Sequence, residues 1–187
     1  MSAAPPVSIT AIHNARLASG ALVDIAIDGE TVVAVVPAGT PLPETGGETL
    51  DLAGYVVTAA GAEPHGHLDK SQSWDAIQPP FGDLVRAIES WQAFAQTLDE
   101  DETLDRARST ALRMLASGIT AVRTHVDLLH GADALIGVRA LVRLREELRG
   151  LMDIELVALG GPTVPDAVFD AALDAGVDLV GGAPHLA

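Results

Sequence analysis

Residues 55–71 read Tyr-Val-Val-Thr-Ala-Ala-Gly-Ala-Glu-Pro-His-Gly-His-Leu-Asp-Lys-Ser. A near-continuous apolar run, Tyr55 to Glu63, leads into His65 and His67, one residue apart. Such a run suits a strand buried on both faces, although its periodicity alone also fits a buried helix. In a strand, residues i and i+2 project to the same side, so the two imidazoles are expected to point together. Gly66 between them has no side chain to crowd the other face. Neutral imidazoles in such a pair are good ligands for Zn²⁺ or Fe²⁺, yet a catalytic site usually takes three protein ligands plus water.

Downstream of the pair the pattern alternates. From Asp83, the residues Leu84, Ile88, Trp91, Ala95 and Leu98 share one helical face. A second helix is predicted from Asp99 to Ser117, with Leu104, Ala111, Leu112 and Leu115 inward and Gly118 as its left-handed cap. Its acidic start, Leu98 to Asp105, reads as a solvated first turn, where carboxylates favour the helix dipole. The strand Ile119–Val126 follows, then a helix from Asp133 to Arg149 closed by Gly150. Residues 153–161 form the next strand, 165–176 a short helix ending in Gly, and 177–185 a last strand. Helix, Gly, apolar strand, repeated, predicts a parallel sheet with helical crossovers. Polar and glycine residues gather at the strand ends, the edge where parallel α/β folds bind ligands.

Upstream, residues 1–54 read as β-structure, with Asp28-Gly29 between two β-branched runs as a hairpin signal. Two regions are therefore expected, 1–54 and 55–187. The second holds four parallel strands and reads as half of a larger closed sheet.

Bulk composition narrows the functions. Acids number 26 against 11 bases, for a net charge of -15, which argues against nucleic acid and anionic membrane surfaces. Lys70 is the only lysine. There is no cysteine, hence no disulfide, thiolate nucleophile or Cys-ligated metal. No apolar run approaches the roughly 20 residues of a membrane span. The start, MSAAPPVSIT, has no signal-peptide pattern, so a cytoplasmic protein is expected.

The segment Gly54–Ser71 resembles the first barrel strand of the amidohydrolase superfamily, in its cytosine deaminase-like branch. Residues 118–128, 153–162 and 175–186 resemble that branch's second, third and fourth strands in order. The resemblance implies a partial (β/α)8 (TIM) barrel, its first four strands, preceded by a small β-sandwich segment. It implies His65 and His67 as metal ligands, with one divalent ion, Zn²⁺ or Fe²⁺, activating water to deaminate a small-molecule nitrogen heterocycle. The family's third ligand, a further His, a glutamate proton shuttle and an Asp lie on later strands, so no catalytic residue is expected in this chain. The alternative is a truncated or split-gene half-barrel without activity of its own, inert or completed by a second chain; the expected protein partner is a homo-oligomeric copy or a complementing C-terminal half.

Asp69, Lys70, His125, Gly161 and His185 are the candidate substrate-binding residues. Asp69 and Lys70 read either as a loop cap and a solvated base or as groups at the pocket entrance. His125 and Asp127 share a face, and with Arg123 they are expected to form an internal polar network. His13 and His130 read as surface or loop residues, and Trp74 and Trp91 as packing. In cytosine deaminase the third strand end carries a Gln that binds the pyrimidine edge. Gly161 occupies that position here, which favours a bulkier, substituted ring.

Overall fold

A computed structural model of the chain describes residues 8–44, 46–79, 81–129 and 133–182. The chain divides into two compact units, Met1–Ala59 and Ala60–Ala187.

In the first unit, β1 (Ile9–Leu17), β2 (Leu22–Asp28), β3 (Thr31–Pro37), β4 (Glu48–Asp51) and β5 (Val56–Val57) form one sheet, in the order β3-β2-β1-β4 with β5 also on β1. The β2–β3 hairpin closes with Asp28 opposite Thr31, and Gly29 takes the left-handed φ of 58° that the tight turn demands. Ala15, Val23 and Ile25 form its small core. A sandwich would need a second sheet. The described residues of this unit form a single sheet, because β4 and β5 extend β1 in parallel along its free edge.

The apolar run at residues 55–63 is not one strand. Val56–Val57 belongs to the first sheet, whereas β6 (Gly61–Gly66) begins the second. Tyr55 and Val56 are exposed, so the run is not buried on both faces. The small residues between the two strands carry the chain from one sheet to the other.

The second unit continues with a 3₁₀ turn (Leu68–Lys70), α1 (Trp74–Ile77), α2 (Leu84–Ala95), α3 (Glu100–Ala116), β7 (Ile119–Asp127), α4 (Ile136–Glu147), β8 (Asp153–Gly160), α5 (Asp166–Asp174) and β9 (Leu179–Gly182). Its strands are all parallel and lie in chain order, β6-β7-β8-β9. Asp99 caps α3 by accepting the Asp101 and Glu102 N–H groups. Past the other end, Gly118 turns the chain into β7 with a φ of 80°.

Alternation along β7 divides its side chains. Val122, Thr124 and Val126 are buried, and the two valines join Leu104 and Ala111 of α3 and Val138, Leu141 and Leu144 of α4 in the core. Arg123, His125 and Asp127 take the other face. Two expected helix contacts fail. Leu112 and Leu84 are exposed, and of the α2 stripe only Trp91 and Ala95 are buried. Leu98 lies beyond the end of α2, on the approach to α3.

Leu141 is fully buried, so Leu141→Ala is expected to cost about 2–5 kcal/mol. Leu112→Ala, at a position 47% exposed, is expected to stay within about 1 kcal/mol. Urea unfolding midpoints of the two variants check the assignment.

Candidate metal centre and adjoining cavity

The carboxyl end of β6 is irregular. Ala62 and Glu63 face Ala121 and Val122, but Gly66 faces Thr124, so three steps on β6 meet two on β7. This is a bulge, a device that re-aims side chains at sheet ends. Glu63 stabilises it by accepting the His65 N–H at 3.0 Å. Three imidazoles meet there. The rings of His65 and His67 stand edge-on with centroids 5.3 Å apart. His125 stacks on His65 at 4.1 Å and lies 5.6 Å from His67.

His67 Nδ1 is 3.1 Å from the His125 carbonyl oxygen. A carbonyl only accepts, so Nδ1 carries the proton and Nε2 keeps its lone pair. Burial, and then the positive charge of Lys70, hold the His67 imidazole below its ordinary value. Both effects keep it neutral, the form that binds a metal. His125 is held down in the same way, by burial and then by the charge of His65. Among the described residues, no three His, Cys, Asp or Glu side chains converge as a complete metal cage.

The segment after His67 is tied down by buried hydrogen bonds. Thr124 Oγ1 accepts the Leu68 N–H at 2.9 Å. The Arg106 guanidinium of α3 donates to the carbonyls of Asp69 and Ser71 at 3.1 and 2.7 Å. Asp69 is only 2% exposed; its Oδ2 accepts the Asp127 N–H at 3.1 Å, and its Oδ1 has no partner. Burial, and then the negative charge of Asp127, push the Asp69 carboxyl up to about 7.

Beyond this segment, Lys70 Nζ lies 2.9 Å from Asp127 Oδ1, and Trp91 Nε1 donates to Asp127 Oδ2 at 2.8 Å. The ammonium stands 5.6 Å above the Trp91 ring. These three residues line a cavity of about 660 Å³ between α2 and the ends of β7 and β8, which Gly160 and Gly161 also reach. A side chain at Gly161 would meet nothing within 4 Å, whereas one at Gly160 would run into Phe169. Gly161 is thus not required by packing.

Several expectations about single residues change. Arg123 does not join His125 and Asp127: it pairs with Glu155 at the exposed sheet surface. Asp127 pairs instead with Lys70 and Trp91, both supplied by other elements. Asp69 is buried and accepts a backbone N–H from the end of β7, and Lys70 is ion-paired rather than freely solvated. Trp74 is half exposed and touches Phe81 rather than packing inside. His13 lies on β1 beside Asp24, in the first unit. His130 and His185 lie outside the described residues. Thr124 and the Trp91 N–H contact were missed. A threonine between two buried valines on one strand face is a readable signal, whereas the meeting of Trp91 and Asp127 is not.

No protein-family model matches the chain. Over nearly its whole length the chain resembles the N-terminal part of amidohydrolase-superfamily enzymes of the cytosine deaminase-like kind. It is 28% identical over 182 residues to the N-isopropylammelide isopropyl amidohydrolase of Pseudomonas sp. (strain ADP), covering 91% of this chain and 44% of that protein. The crystal structure of N-isopropylammelide isopropylaminohydrolase from Burkholderia multivorans ATCC 17616 matches with 31% identity and a TM-score of 0.76, over 92% of this chain and 45% of that one. That of 5-methylcytosine deaminase from Klebsiella pneumoniae, liganded with 5-fluorocytosine, matches with 27% identity and a TM-score of 0.78, over 94% and 44%. The chain spans about half the length of the relatives it matches.

Two outcomes test the tied segment. Thr124→Val strands the buried Leu68 N–H and is expected to cost about 1–3 kcal/mol in urea unfolding. Asp69 has an ordinary value of 3.8 and a folded value of about 7, so the folded state prefers its proton. Its contribution is fully present below about pH 4 and is lost as pH rises towards 7. Relative to the parent, Asp69→Asn should therefore gain stability between pH 4.5 and 7.5; a constant difference across that range contradicts the assignment.

Proposed function

We propose that the parallel sheet is the first four strands of a (β/α)8 barrel, preceded by a small β unit, in a metal-dependent amidohydrolase acting on a C–N bond of a nitrogen heterocycle. The observation that carries this reading is the His65–His67 pair at the carboxyl end of β6, with His67 Nδ1 committed to a carbonyl and Nε2 left for a ligand. Metal-binding histidines characteristically hold the other ring nitrogen in this way. The pair fits part of a mononuclear site for Zn²⁺ or Fe²⁺.

When bound, such an ion lowers the pKa of water and makes a nucleophile available at neutral pH. In this chain His65 and His67 would hold it, and the His125 carbonyl would fix the tautomer of His67. In the overall reaction a water oxygen adds to the ring carbon, the C–N bond breaks, and the amine departs with a proton. That proton needs an acid, and the ion needs a further ligand. We assign both to the rest of a complete barrel, since the described residues bring no third ligand to the pair.

The substrate class follows from Gly161. Its open surroundings supply no side-chain amide to a pyrimidine edge but leave room for a substituent. Likeness to enzymes named for N-isopropylammelide supports an N-substituted pyrimidine or triazine over cytosine itself. The second reading is a half-barrel that is inert alone and completed by another chain. The incomplete ligand set among the described residues favours it for this chain by itself.

Calorimetric titration with Zn²⁺ tests the site. One ion per chain is expected, lost in the His65→Ala/His67→Ala double variant; undiminished binding by that variant would sink the assignment. The chain alone is expected to release no amine from N-isopropylammelide or cytosine. Co-expression with the remainder of a related barrel should yield release that His67→Ala abolishes.

A further inference from the structure

The cavity beneath α2 is apolar along most of its wall, through Val85, Ile88, Leu128 and Leu159, and carries the Lys70–Asp127 pair. Neither His65 nor His67 lines it. The pair is held in place from several sides. Asp127 has its N–H on buried Asp69 and one carboxylate oxygen on the indole of buried Trp91. Lys70 is bound to its other oxygen, and the two side chains retain 29% and 21% exposure.

Their hydrogen-bonding capacity is not used up. An ammonium has three N–H donors, and the contact with Asp127 uses one. A carboxylate offers about four acceptor sites, of which the side chains of Lys70 and Trp91 take two. A donor and an acceptor therefore stand side by side next to an apolar pouch. The complementary chemistry is a cis-lactam edge, where a ring C=O and a ring N–H are neighbours. The ion pair neutralises Lys70, and Glu89 adds a further negative charge to the lining, which disfavours phosphorylated ligands.

We propose that Lys70 and Asp127 read the lactam edge of an uncharged nitrogen heterocycle, Lys70 donating to the ring carbonyl and Asp127 accepting from the adjacent ring N–H. Trp91 is the positioning residue that holds Asp127, and the pouch takes a ring substituent. This rests on the heterocycle reading above and names the edge recognised.

Calorimetric titration of the 187-residue chain with uracil and with 1,3-dimethyluracil, which has the same ring without N–H, tests it. Uracil is expected to bind about 10–100-fold more tightly, the range set by hydrogen bonds to charged groups. Lys70→Met should weaken both rings, which share the carbonyl it binds, and Asp127→Leu should weaken uracil and bring the ratio close to one. Trp91→Phe should lower the ratio while leaving the fold's circular dichroism unchanged, a signature that lost packing alone would not give. Equal binding of the two rings, no binding of either at millimolar concentration, undiminished affinity for both rings in Lys70→Met, or an unchanged ratio in Asp127→Leu overturns the proposal. Zn²⁺ titration of the same preparation reports separately on His65 and His67, so failure of lactam reading and failure of the metal site are distinguishable.

Discussion

The hydrogen bond from the Asp127 N–H to the buried carboxyl of Asp69 is the contact on which the geometry of the site depends. It joins the 3₁₀ turn after the histidine pair to the last residue of β7. With the Leu68 N–H to Thr124 Oγ1 and His67 Nδ1 to His125 carbonyl contacts, it fixes the bulged end of β6 against the strand beside it. The carboxyl is costly to bury, and a proton, which burial promotes, lowers that cost. Arg106 completes the tie by gripping the turn's carbonyls from α3. The functional groups therefore hang on a short buried polar network, where each member has few alternatives.

That network sits at the boundary between two environments. One face of β7 is apolar and packs under α3 and α4, as a parallel sheet with helical crossovers requires. The other face carries His125 and Asp127 towards the carboxyl edge, where the backbone turns away into loops. Side chains there escape the core's demand for apolar groups and are free to be polar. This is why the three imidazoles, Lys70 and Asp127 collect at one end of the sheet, although they come from sequence positions up to 62 apart (65 to 127).

Burial first, and then the charge of Lys70, keep His67 neutral. Lys70 lies close enough to His67 to disfavour a second positive charge, and Asp127 takes up the ammonium on its far side. One lysine thus adds to burial in keeping an imidazole in its ligand form, and it remains a hydrogen-bond donor to the cavity. In a chain with a net charge of -15, this basic group stands where the acids have been drawn around it.

The helices α3 and α4, their glycine stops and the parallel strands after them were legible in the amino-acid sequence, because period, cap and breaker are local properties. So was the His65-x-His67 pair as a feature of a strand end. The run at residues 55–63 misled, since apolar residues say nothing about which sheet will take them, and β5 and β6 went to different ones. Leu112 lies on the expected helix face, yet about half of it stays exposed. Arg123, His125 and Asp127 share a strand face but find separate partners, because a side chain bonds to whatever the packing brings within reach. By itself the sequence determined the alternation of elements and the chemistry available at their ends. Only the tertiary structure decided that Trp91, Lys70 and Asp127 meet, since contacts between distant segments follow from how helices pack on a sheet, and no local pattern encodes them.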